Sequence, residues 1–193
     1  MSAPVSFYPR PSRMELSEQV NALLTHEPWV FVCIGSDRST GDAFGPLVGS
    51  ELMRYFPDMP VYGSLDEPVH ALNLESVLNH IASHHPGARI FAVDAALGEK
   101  TLLGTLTVAK GPVFPGRGVE KNLPAVGDAH LTAVVNLSGW HPFWMLQHTR
   151  LSHVWKLARH AAGAMALAWA RHQLTYFPDA AHSPRPSTYP SSS

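Results

Sequence analysis

The run Trp29-Val30-Phe31-Val32-Cys33-Ile34, closed by Gly35, constrains the fold more than any other segment. Six apolar residues without a polar break leave no face for water, so the segment reads as a strand covered on both sides. Strands of that kind belong to parallel sheets whose faces are both packed by helices. The flanking sequence supplies those helices. Residues 14–26 place Leu16, Val20, Leu23 and Leu24 at helical intervals. A polar loop, 36–42, leads into a helix over 43–56, with Pro46 in its first turn, where a missing N–H is no loss. Residues 61–65 read as a second strand, and 74–84 as a helix capped by Asn73. Residues 89–93 read as an apolar strand that stops at Asp94. Residues 103–109 and 131–137 read as two more strands, the former an antiparallel edge because only a short stretch precedes it. Residues 111–126, with three prolines and three glycines, form a long loop, and 151–173 an alanine-rich helix. The expected architecture is a three-layer αβα fold with a mostly parallel sheet.

Composition narrows the function classes. A net charge of −1 and the absence of a Lys/Arg cluster argue against nucleic acid. No apolar run approaches the roughly 20 residues of a membrane helix, and no signal peptide is visible, so no membrane association is expected. The single cysteine, Cys33, lies in the apolar run and reads as core, which fits a reducing, cytoplasmic setting. Residues 1–13 read as a disordered extension, 14–173 as one α/β domain, and 174–193 as a Pro/Ser-rich tail. A homo-oligomer is left open.

In such sheets the working crevice lies beyond the carboxyl ends of the strands. That rule sends Asp37, Asp42, Asp66, Glu67 and Asp94 to one edge. Asp42 has two readings: the N-cap of the following helix, or a carboxylate at the crevice mouth. Asp94 ends an apolar strand, where burial raises a carboxyl pKa. Two such carboxylates can share one proton, as acid and base, or hold a divalent cation with a third ligand. Of the histidines, His70 follows a strand three residues after Glu67 and reads as a site residue, whereas His84, His85, His153, His160 and His172 read as surface.

Longer stretches carry a family resemblance. The segment from Cys33 to Gly49, with Asp42-Ala43-Phe44-Gly45-Pro46 at its centre, resembles the spore protease-like YyaC family of endospore-forming bacteria. So do Ser64-Leu65-Asp66-Glu67-Pro68-Val69-His70, Val93-Asp94-Ala95 and Gln147-His148-Thr149-Arg150. That family is similar to the germination protease, and the resemblance implies that Asp42 and Asp94 are a catalytic pair acting on a protein or peptide substrate. The hydrogenase maturation endopeptidases share the fold (phosphorylase/hydrolase-like) and hold nickel with acids at the places of Asp42 and Asp94. Their third ligand is a histidine whose counterpart the matched stretches do not supply. The resemblance thus implies a sporulation-associated peptidase in the mother cell or forespore. No cofactor is expected, with a divalent metal as the alternative. A protein that kept the fold and uses the acidic crevice only for binding is the rival reading. Asp37, Arg38, Asp66, Glu67, His70 and Asn136 are the expected supporting residues, with Arg38 biasing the carboxylates toward ionisation and Asn136 donating a hydrogen bond.

Overall fold

The structure is a computed structural model that describes residues 9–116, 123–139 and 141–178. Five strands, β1 (Trp29–Cys33), β2 (Val61–Tyr62), β3 (Arg89–Gly98), β4 (Leu106–Lys110) and β5 (Ala129–Leu137), form one sheet in the order β2-β1-β3-β5-β4. All pairs are parallel except β4 with β5. The antiparallel edge follows from the short connection, because a parallel return needs a crossover of a dozen or more residues.

Alternation along β1 explains the layers. Trp29, Phe31 and Cys33 pack with α1 (Arg13–Leu23), α2 (Phe44–Tyr55) and α5 (Leu151–Tyr176) on one face. Val30, Val32 and Ile34 pack with Leu74 and Ile81 of α3 (Leu74–His84) on the other. Every residue of β1 is therefore buried, as its composition requires. Burial also pushes the Cys33 thiol far above its ordinary range, which leaves it an inert core residue.

Several boundaries move, each for a local reason. The second strand is only Val61–Tyr62, because Gly63 turns at φ +94° and Ser64 closes a tight turn with Glu67. The third strand does not stop at Asp94 but continues to Gly98, paired along its second half with β5. A short helix absent from the sequence reading, α4 (Pro142–Gln147), follows β5 and starts on Pro142. Asn73 stands at the N-cap position of α3 without capping it. Its Oδ1 accepts from the His70 N–H at 2.8 Å and its amide donates to the Pro68 carbonyl at 3.0 Å. His172, expected at the surface, is 2% exposed on the inner face of α5, where its Nε2 meets the Thr25 carbonyl at 2.7 Å.

Of the 1–13 extension, residues 9–12 run beside β4, with the Leu106 N–H donating to the Arg10 carbonyl at 2.7 Å. A Ser12–Glu15 capping box then starts α1 at Arg13. Residues 1–8, 117–122 and 179–193, with most of the tail and part of the long loop, lie outside the described residues. Among the described residues no helix is long and apolar enough to cross a membrane.

Candidate active site

The strand order reverses direction between β1 and β3, since β1 is followed in sequence by β2 on one side and later by β3 on the other. Loops leaving neighbouring strands part company there and open a crevice. β1 ends at Cys33, paired with Val93, while β3 runs on. Asp94 is therefore the first residue of β3 without a β1 neighbour, which exposes that stretch of strand to the crevice.

Asp42 reaches the same place from the loop after β1. The Ile34 carbonyl lies so close to Gly45 that a Cβ there would overlap it, and a Cβ on Gly35 (φ +144°) would overlap the Asp42 carbonyl. These two approaches fold the loop back on the end of β1. The N-cap of α2 is Ala43, so Asp42 stands one residue before the cap position.

A cleft of about 760 Å³ opens over this point and is lined by both aspartates. Asp94 is 9% exposed, and its carboxyl is held well above the ordinary value of 3.8. Burial is the main cause and the negative charge of Asp42 adds to it, with only the Ala95 N–H, 2.9 Å from Oδ1, acting the other way. Arg38 lines the cleft from an exposed position but is not among the groups that set the Asp94 carboxyl. His70 also lines it, because the chain after β2 returns beside β1 through an Ile34–Val69 bridge and the Gly35 N–H donates to the Val69 carbonyl at 2.8 Å.

Other expected supporting residues lie elsewhere. Asp37, Asp66 and Glu67 are exposed and do not line the cleft. The last two leave β2, which is one strand beyond the reversal. Asn136 does not line it either. Its amide donates to the Met145 carbonyl at 2.8 Å and to Thr149 Oγ1 at 3.1 Å, bracketing the end of α4. The Leu146 carbonyl in turn accepts from the Gly41 N–H at 2.8 Å, which ties α4 to the loop that carries Asp42. Asn136→Ala is expected to lower stability by about 1–3 kcal/mol, because the Met145 carbonyl and the Thr149 hydroxyl lose a donor. Thermal denaturation checks this, and an unchanged melting temperature would show that α4 holds without the bracket.

The sequence reading missed Ser36, Ser39, Leu72, His141, Phe143 and Trp144, all of which line the cleft. The one available signal was Pro142 at the head of a short apolar stretch, a helix start. Among the described residues no three His, Cys, Asp or Glu side chains come together as a metal-binding group.

The family described as "Protein of unknown function (DUF1256)" matches residues 11–163, most of this α/β domain and the first half of α5. The chain belongs to that family. A DUF1256 chain's relatives include "Uncharacterized protein YyaC" of Bacillus subtilis (strain 168), 42% identical over 153 residues, which span 77% of this chain and 75% of that one. Among solved structures, a NiFe hydrogenase maturation protease, HycI, from Thermococcus kodakarensis KOD1 is 20% identical with a TM-score of 0.46. The match covers 72% of this DUF1256 chain and 92% of HycI, and a likeness that distant carries no functional argument.

Proposed function

We propose that the chain is a peptidase acting through Asp42 and Asp94, with a role in sporulation. One observation carries the chemistry: a buried carboxyl whose pKa is raised by burial lies within electrostatic reach of a second aspartate on the wall of one cleft. Asp94, whose carboxyl is raised by burial, is the acid, and Asp42 is the base. Asp42 takes a proton from water as the water oxygen bonds to the scissile carbonyl carbon. Asp94 gives its proton to the departing amine as the C–N bond breaks. The proton on Asp42 then returns to Asp94 and restores the pair.

The donors do not fit a tightly held divalent ion, since two carboxylates lack a third partner among the described residues and a ligand carboxylate must give up its proton. The sporulation setting, with a cytoplasmic location, is supported by the sequence resemblance alone.

Incubation with small acid-soluble spore proteins and with an unrelated unfolded protein, followed by mass spectrometry of the products, tests the reading. Cleavage is expected to be bell-shaped in pH, rising as Asp42 ionises and falling as Asp94 does. Because the Asp94 carboxyl is raised, the falling limb lies above the ordinary carboxylate range. Asp42→Asn and Asp94→Asn should each cost about 100-fold or more. Undiminished cleavage in either variant would overturn the pair.

A further inference from the structure

Three bulky apolar side chains stand in water around the cleft. Leu72 is 88% exposed, Trp144 60% and Phe143 56%, and all three line it. Scattered exposed apolar residues need no explanation, but three on one concave site mark a surface that is covered when the site is filled. They flank the carboxylates from two sides of the sheet: Leu72 follows β2, whereas Phe143 and Trp144 follow β5.

The segments that carry them are tied to their surroundings. The Trp144 ring stacks on His148, with 4.1 Å between centroids and 4° between planes. The Leu72 N–H donates to His70 Nδ1 at 3.3 Å, which fixes the turn before α3. α4 is anchored through Gly41 and Asn136 as described. Among the described residues, the Asp, Glu, Lys and Arg side chains lining the cleft are Arg38, Asp42 and Asp94.

We propose that the cleft binds an extended polypeptide segment through bulky apolar side chains, which seat between Leu72 and the α4 pair Phe143 and Trp144. That the occupant is a polypeptide rests on the peptidase reading; the apolar selectivity is read from the rim.

Fluorescence anisotropy tests it with short labelled peptides of one Gly/Ser framework, whose central pair is Phe-Leu, Gly-Gly, Lys-Lys or Glu-Glu. The measurements use the Asp94→Asn chain, so no turnover interferes. The Phe-Leu peptide should bind about tenfold or more tightly than the others, and Leu72→Ser or Trp144→Ser should remove most of that margin. Trp144→Phe should restore it. Equal binding of the Gly-Gly, Lys-Lys or Glu-Glu peptide, no measurable binding of the Phe-Leu peptide, or rim variants without effect would overturn the proposal. Apolar-selective binding by a chain whose wild type cuts no peptide would remove the peptidase reading and leave this one standing. Cleavage without apolar preference would do the reverse.

Discussion

Asp94→Asn is expected to abolish hydrolysis and, at neutral pH, to raise the melting temperature by about 2–4 °C, the change that ~1 kcal/mol gives in a domain of this size. The amide keeps the acceptor that Ala95 uses at 2.9 Å and is isosteric with the protonated acid. It lacks only the ability to ionise in a buried place beside Asp42. Asp94 has a folded pKa above its unfolded value of 3.8, so its contribution to stability is complete below that pH. The contribution is lost as pH rises through the folded pKa, because the folded chain there binds more protons than the unfolded one. The advantage of the variant should therefore vanish at acid pH and grow from 3.8 upward until the raised value is passed. Thermal melts across pH, with peptide cleavage measured on the same preparations, decide the matter. A fall of several degrees at neutral pH, with cleavage retained, would make Asp94 a scaffold residue.

Gly45→Ala is expected to do large structural damage, about 3 kcal/mol at the top of the overpacking range, or roughly 6–12 °C. Its Cβ would fall on the Ile34 carbonyl, and backbone on both sides leaves no flexible side chain to move away. α2 would have to lift from the end of β1, carrying the Asp42 loop with it. Cleavage should fall along with stability even below the melting temperature, because the two carboxylates would separate. Gly139→Ala, where an added Cβ meets nothing within 4 Å, is the control and should melt with the wild type. Equal melting of the Gly45 variant would mean that the close approach is readily relieved.

Much of this architecture was legible in the chain, and the reason is periodicity. β1, β3 and α5 announce themselves because each buries a repeating set of side chains, and burial leaves a pattern in sequence. The antiparallel direction of β4 was legible from the short link that follows β3. α4 was not, because none of its six residues is fully buried and only Leu146 packs against the core, which leaves no repeat.

The acidic residues show the same division. Sequence put five of them at strand ends; four do follow β1 or β2, but Asp94 lies within β3, which runs on to Gly98. Sequence could not say which would converge, since that depends on strand order, and order is set by how the helices cover the sheet. Asp66 and Glu67 follow β2 and are exposed away from the cleft, whereas Asp42 and Asp94 line one cleft where β1 and β3 lie side by side. Asn136 was read as a crevice donor, yet it braces α4, because the side chain's partners come from a helix no pattern announced. The sequence by itself determined the layers, the strands and the residue types at the sheet edge, since each follows from local burial and spacing. Only the tertiary structure decided that Asp94 is buried beside Asp42 under a rim of Leu72, Phe143 and Trp144, because pairing across the sheet joins residues too far apart in the chain for any local pattern to relate.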